Sequence, residues 1–499
     1  MRPVQQHRHQ GGGRIGLTAA TREPPPLRMG TKLLYAVGSA ATNLKARALT
    51  TFLVIFYNQV IGLPPKLVGL ILMVALVFDA VIDPFVGQVS DNLRSRWGRR
   101  HPFMMAAALP YALAFFLLWN PPLGWSDNAI AIYLAVCLFS VRFFDTFFET
   151  PHQALAPELA RNYDERTNLL SLRQFFAVAG GLGMTILAYQ VFLKEHPDGS
   201  GGVLARDGYL AYSIAGALII LATVLASTIG TASRIPYLYV APQRKITLGA
   251  MLREVLQTLN NRAFIAAAVS AIFISIAIGA RNGLEIYFGL YFWELKQSQL
   301  ATLATISIVG GFLGVGLAPI VGKALGKKHG AIVVFAAAVA VHITPVSLRL
   351  LGLAPENGTP ELLWLIYGEE IINATLASAT AVLLAAIVAD VVEDAEVKTG
   401  RRSEGLLMSA NALFRKMISG TGIFVATAVL AFVQFPEDAK RGGVPEGVLT
   451  GLGMAYIPLI VGLYGISIGL LFFYDIDRKR HEANLAHLKG VEDEKRLSV

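Results

Sequence analysis

Twelve times along this sequence an apolar stretch runs for about 20 residues or more before a polar break, and no other feature constrains the fold as strongly. A hydrocarbon core of about 30 Å is crossed by roughly 20 helical residues. Because nothing at that depth solvates a free N–H or C=O, each stretch must be a helix. The expected spans are 33–61, 66–90, 102–121, 129–156, 173–193, 209–230, 263–292, 298–322, 331–352, 363–391, 405–434 and 449–474. Composition agrees: the chain is 54% hydrophobic and 15% charged, with a mean hydropathy of +0.53, too apolar for a protein whose main solvent is water. Cys137 is the single cysteine and falls inside an apolar run, which excludes disulfides and cysteine metal centres.

The net charge of +9 does not point to nucleic acid, because the basic residues lie in short tracts between apolar stretches and not along one face. They sort by side. Arg94, Arg96, Arg99 and Arg100, then Arg161 and Arg166, then Arg234, Arg244, Lys245 and Arg253 share one side with Lys327, Lys328, Lys398, Arg401, Arg402, Arg478, Lys479 and Arg480. The opposite loops hold few, such as Lys194, Arg206, Lys440 and Arg441. The positive-inside rule then predicts a cell (inner) membrane protein with both termini and the long central loop in the cytoplasm. Residues 1–28 are polar and rich in Gly and Pro, and read as a disordered tail in which His7 and His9 are solvated.

A long central loop suggests two halves, and a shift of 235 residues aligns them: Pro84 and Gly87 meet Pro319 and Gly322, Glu158 meets Glu393, and Arg166 meets Arg401. The predicted organisation is a tail (1–28), a six-helix bundle (29–230), a cytoplasmic loop (231–262), a second six-helix bundle (263–474) and a tail (475–499).

Ionisable groups inside the spans are expensive and therefore functional candidates. Asp79 and Asp83 are one turn apart on a single face, an arrangement that repels itself unless a cation or proton lies between the carboxylates or a basic residue of a neighbouring helix neutralises them. Arg142, Asp145 and Glu149 share a face of the fourth span, where Arg142 and Asp145 can satisfy each other; Thr146 and Glu149 offer oxygens to a solute or an ion, and Glu149 has no evident local partner. Arg281 and Glu285 read as an intrahelical pair. Lys45 and Arg47 are expected to meet the acids of the second span or an anionic part of a substrate, and Lys416 to face the cavity. Glu369 and Glu370, as neighbours in sequence, are expected to diverge near a hydrated helix end. The basic loop with Arg96, Arg99 and Arg100 is a candidate gate latch or lipid anchor. Neither a phosphate-cradling loop nor a metal-ligand spacing nor a nucleophile constellation stands out, so no ATP drive, no metal and no catalytic residue is expected.

The strings Phe78-Asp79-Ala80-Val81-Ile82-Asp83-Pro84 with Gly87, Arg96-Trp97-Gly98-Arg99-Arg100-His101-Pro102 and Glu149-Thr150-Pro151 are specific in combination. With Asp164-Glu165-Arg166-Thr167, Arg173 before Phe176-Ala177, and Val388-Ala389-Asp390 leading to Lys398, they resemble the glycoside–pentoside–hexuronide cation symporters of the major facilitator superfamily over about 33–480. The resemblance implies an all-α major facilitator fold, with Asp79 and Asp83 as the acids of a sodium or proton site and Thr146 as a further ligand. It also implies that Glu149 replaces a sugar-binding aspartate, that Lys398 lies near the junction of ion and sugar, and that Arg173 or Gln174 is the family's arginine of the fifth span. The departures matter: Asn43 replaces a second sugar-binding aspartate, Gln153 and Ala381 replace tryptophans, and Ile82 replaces an asparagine beside the ion. Galactosides are then not read in the same way, and the case for sodium weakens relative to protons. Lysophosphatidylcholine symporters share the fold and the paired aspartates, and Lys416 has a Phe-x-Lys-x-x-x-Gly setting like theirs. The expected function is cation-coupled symport of a sugar or glycoside by a monomer with no cofactor; the alternatives are a lysolipid carrier and a non-transporting receptor or scaffold.

Overall fold

The computed structural model describes residues 26–160, 163–195, 201–238, 262–399, 421–437 and 439–472. The first half of the pattern becomes α1 (Met29–Thr51, continued by Leu53–Ile55 and a π turn at Phe56–Val60), α2 (Pro65–Asn92), α3 (His101–Leu118), α4 (Asp127–Leu159), α5 (Tyr163–Leu187, with a π turn at Ala188–Phe192) and α6 (Asp207–Ala232). The second half becomes α7 (Arg262–Tyr287, with a π turn at Phe288–Phe292), α8 (Gln297–Leu325), α9 (Lys327–Leu350), α10 (Pro360–Thr399), α11 (Thr421–Phe432) and α12 (Glu446–Leu471). The first helix of each half thus ends in the same way, in a five-residue π turn.

Among the described residues, ten helices, α2–α10 and α12, are long and apolar enough to cross a membrane. The other two expected spans are α1, which carries Lys32, Lys45 and Arg47, and α11, described only over Thr421–Phe432. One boundary moves: residues 163–172, expected in a loop, extend the start of α5 as helix, because Glu165 is tied back to the start of α1 by Lys32 (3.6 Å) and the Leu27 N–H (3.1 Å). Prolines inside α2, α3, α4, α8, α9 and α12 are tolerated because packed neighbours, hydroxyl side chains and local helix adjustments satisfy the carbonyls they free. Large apolar side chains point outward, Phe432 at 81%, Trp364 at 76% and Phe312 at 73% exposure. Such a surface requires hydrocarbon as its solvent.

Lipid tails give no hydrophobic drive between helices, so close packing and polar contacts must hold them. α1 lies against α5 and α6, α3 against α4 and α6, and α2 against α4; in the second group α10 packs on α8 and α9, and α12 on α7 and α9. Glycine sets two of these contacts. A Cβ on Gly180 would lie 2.5 Å from Cα of Ala40, and one on Gly310 would lie 2.8 Å from the Ile371 carbonyl oxygen, so α1–α5 and α8–α10 approach to backbone distance. The two groups meet on the side away from the basic loops. There Tyr287 donates to Asn58 Oδ1 (2.8 Å), Gln59 donates to Pro436 O (2.8 Å) and accepts from the N–H of Ala439 (3.0 Å), and Arg441 pairs with Glu195 (2.9 Å).

Candidate functional site

The four-residue spacing of the α2 acids is matched by Arg142 and Thr146 on α4, so the two helices form parallel rungs. Arg142 Nη1 lies 2.5 Å from Asp79 Oδ2, and Thr146 Oγ1 donates to Asp83 Oδ1 at 2.8 Å. The first rung is sealed, with Asp79 at 1% and Arg142 at 5% exposure, whereas Asp83 is half-buried. Across α1 and α4 the rungs run antiparallel. Tyr35 donates to the His152 carbonyl (3.0 Å), Thr42 donates to Glu149 Oε2 (2.8 Å), and Lys45 Nζ sits 2.5 Å from Asp145 Oδ2, whose other oxygen accepts from Tyr111 (2.9 Å). α5 closes the cluster: Arg173 pairs with Glu149 Oε1 (3.0 Å) and donates from Nε to Ser39 Oγ (3.2 Å), while Gln153 donates to the same Glu149 oxygen.

Several expected pairings are thereby corrected. Arg142 and Asp145 share a face but do not satisfy each other, because α2 offers Asp79 to the first and α1 offers Lys45 to the second. Lys45 accordingly reaches neither α2 nor an open site. Glu149 has local partners after all, in Arg173, Thr42 and Gln153. The positive charge beside Asp79 is a resident guanidinium, and the oxygens that come together away from it are those of Asp83 and Thr146. Among the described residues Asn43 makes one long hydrogen bond, to Ser39 O (3.5 Å). Arg173, and not Gln174, makes the contacts from the fifth helix. Lys398 and Lys416 lie outside the residues whose side chains are described.

One turn beyond Asn43, α1 presents Arg47, Thr50 and Thr51 to a cavity of about 260 Å³ between the two groups of helices. From α7–α12 come Arg281, Asn282, Glu285, Ser307, His342, Glu369, Glu370 and Tyr456, with an apolar wall that includes Leu182, Phe288, Trp293 and Leu300. Arg281 does not pair with Glu285. It faces Glu370 Oε2 (3.7 Å) and donates to Asn373 Oδ1 (2.8 Å), and Ser307 donates to the other oxygen of Glu370. Glu369 meets His342 Nδ1 at 3.0 Å, and His342 Nε2 lies 2.7 Å from the Tyr456 hydroxyl. Glu369 and Glu370 therefore diverge as expected, but not at a helix end. They lie about 14 Å into α10 at 1.5 Å per residue, one beside a histidine of α9 and the other beside an arginine of α7. Sequence reasoning missed His342 and Tyr456, although a histidine inside Val339-Ala340-Val341-His342-Ile343 was a signal on the same rule that flagged the carboxylates.

On the basic side Arg99 pairs with Glu158 and approaches Asp91 (3.9 Å), and Arg100 pairs with Asp91 (3.1 Å) and Glu158 (3.0 Å) and donates to Ala154 O. These arginines tie the ends of α2 and α4 together. Arg96 instead lies over the Trp97 ring, 5.2 Å from its centroid.

Comparison with known proteins agrees with this architecture. Residues 34–478 match the family described as MFS/sugar transport protein. An uncharacterized symporter of Synechocystis is 35% identical over 178 residues, about a third of each chain (34% and 32%). The isoprimeverose transporter of Lactiplantibacillus pentosus is 24% identical across 89% of this chain and 88% of that one, and the sodium-dependent lysophosphatidylcholine symporter 1-A of Danio rerio is 25% identical across 95% and 91%. Among solved structures, the nucleoside transporter NupG superposes with a TM-score of 0.61 at 14% identity, covering 89% of this chain and 100% of NupG. The inward-open xylose transporter XylE of E. coli superposes with a TM-score of 0.57 at 13% identity, covering 92% and 98%.

Proposed function

This chain belongs to the MFS/sugar transport protein family, which is one of transporters and not enzymes, and from that premise we propose that it carries a sugar or glycoside by cation-coupled symport, with Asp83 and Thr146 holding the coupling ion. The observation that carries the reading is the second α2–α4 rung: a half-buried carboxylate and a hydroxyl, 2.8 Å apart, one turn from a pair already neutralised by Arg142. A carboxylate and hydroxyl of that kind suit sodium as oxygen ligands and suit a proton as a base.

The solute site is the adjoining cluster of Glu149, Arg173, Gln153 and Asn43, with Lys398 and Lys416 as further candidates. A carboxylate beside a guanidinium accepts from and donates to neighbouring sugar hydroxyls, as a polyol requires. Ion and solute sites sit on successive turns of α4, Thr146 then Glu149, so occupancy of one sets the position of the other. Linkage makes that coupling reciprocal: the ion tightens solute binding by the factor by which the solute tightens ion binding. The two bundles, 29–230 and 263–474, alternate around this site in the inner membrane with both termini cytoplasmic, and Arg96, Arg99 and Arg100 gate the cytoplasmic side. The protein acts as a monomer.

A second reading, carriage of a lysolipid, draws on the apolar wall of the cavity at Leu182, Phe288, Trp293 and Leu300 and on the fish relative. Thermal stabilisation of the purified protein by sugars, uronides and lysolipids, with and without sodium at two pH values, separates the readings, since a ligand of the folded state raises apparent stability. In proteoliposomes loaded with the stabilising solute, Asp83→Asn abolishes uphill accumulation and keeps exchange. Unchanged concentrative uptake by that variant removes Asp83 from the coupling role.

A further inference from the structure

The cavity between the two groups of helices has an unbalanced set of charges. Among the described residues its lining contains two guanidiniums, Arg47 and Arg281, against three carboxylates, Glu285, Glu369 and Glu370, together with one imidazole, His342. Arg281 faces Glu370 at 3.7 Å, and Arg47 and Glu285, both exposed, line the cavity from opposite groups of helices. Glu369 is left with His342, 3.0 Å away. With a neutral imidazole and all three carboxylates ionised, the lining carries one surplus negative charge at a depth where net charge costs several kcal/mol. With an imidazolium it balances.

We propose that His342, clamped between Glu369 and Tyr456, is a proton-binding site of the second group of helices, loaded and emptied through this cavity. The site is separate from the ion site at Asp83 and does not rest on it. Its hydrogen bonds allow both states. An ionised Glu369 only accepts, so the neutral ring keeps its hydrogen on Nδ1 and its Nε2 accepts from the Tyr456 hydroxyl at 2.7 Å. A proton arriving from cavity water adds to Nε2, which then donates to Tyr456; the hydroxyl turns to make its oxygen the acceptor. No heavy atom moves, and no bond other than the N–H forms. The cavity, at about 260 Å³, holds several waters of roughly 30 Å³ each, enough to deliver that proton. The charged and titratable groups that line the cavity with His342 are Glu369 and Glu370 of α10, Arg281 and Glu285 of α7, Tyr456 of α12 and, across the cavity, Arg47 of α1 and Tyr189 of α5.

The test is the imidazole nitrogen spectrum of the full-length protein, labelled with ¹⁵N-histidine and held in lipid nanodiscs, followed from about pH 5 to about pH 9, the range in which histidine titrates. His342→Gln identifies the resonance; where that variant does not fold, Tyr456→Phe, which removes only the hydroxyl, identifies it by the shift of one Nε2 signal. The expected result is titration of His342 within the window, with a midpoint lowered by on the order of one pH unit in Glu369→Gln, since a neighbouring anion favours the charged ring. In Asp83→Asn the titration persists. A His342 signal fixed in one neutral tautomer across the whole window overturns the proposal, and so does a titration that vanishes with Asp83→Asn, which assigns the proton to α2.

Discussion

Lys45 and Asp145 stand 2.5 Å apart with side chains 8% and 6% exposed, so each is the other's main compensation for leaving water. Removing one partner of such a pair strands a charge and costs about 3–5 kcal/mol, whereas replacing both by apolar residues of similar volume is often neutral. Lys45→Met and Asp145→Leu are therefore each expected to lower the thermal unfolding temperature sharply in detergent, and the double variant to recover most of the loss. The residual deficit of the double variant measures the Tyr111 hydroxyl, which loses its 2.9 Å acceptor and keeps only the longer bond to Ala41 O (3.4 Å). A double variant as unstable as the sum of the singles would mean that the ion pair contributes through something other than mutual neutralisation. Arg142 and Asp79, even more buried, fall under the same rule. At Asp83 α4 offers the Thr146 hydroxyl instead, and the side chain remains half-exposed. Two identical acids one turn apart thus meet different groups of α4, a guanidinium and a hydroxyl.

Helices were legible in the sequence because apolar length is a local property, readable without knowing any neighbour; α2, for example, was expected at 66–90 and spans Pro65–Asn92. Pairings were not legible. Arg142 has Asp145 three residues away on its own face, yet it meets Asp79, 63 positions distant, because the rotation of α4 against α2 decides the partner and no periodicity encodes it. What fixes such rotations is close packing, as where Gly180 lets α5 approach Ala40 of α1. That approach brings Arg173 to Ser39 and Glu149. Gly180→Val would push α5 off the α1 backbone, which cannot yield as a flexible side chain would. Overpacking of this kind costs about 1–3 kcal/mol. The expected outcome is a lower unfolding temperature together with a solute affinity reduced more than tenfold, measured with whichever solute stabilises the parent protein. A variant that lost stability but bound that solute normally would separate the α1–α5 contact from the proposed solute site.

The two groups of helices are joined away from the basic loops by a small set of neutral hydrogen bonds centred on Gln59, which touches Pro436, Ala439 and Tyr291, and on the Asn58–Tyr287 bond. A seal of this composition can open, because each net hydrogen bond is worth only about 0.5–1.5 kcal/mol. A carrier that alternates between two states needs a gap of a few kcal/mol at most, or its minor state is never visited. The Arg441–Glu195 pair, with side chains 32% and 26% exposed, adds little because water screens it. Gln59→Ala removes several of these bonds at once and is expected to shift the equilibrium toward the state open on that side by about 1–3 kcal/mol, roughly fivefold to a hundredfold in population. Cys137 is buried and is the only cysteine, so a cysteine-free background needs one substitution. Spin labels at Leu123 and Leu353, exposed in loops of opposite groups on that side, then report the separation. The long-distance population should grow in Gln59→Ala and shrink when the stabilising solute and sodium or acid are added together, because a ligand shifts the equilibrium only by its difference in affinity between the two states. Distances that ignore both the substitution and the ligands would mean that this face is a static wall, with access gained elsewhere between the bundles.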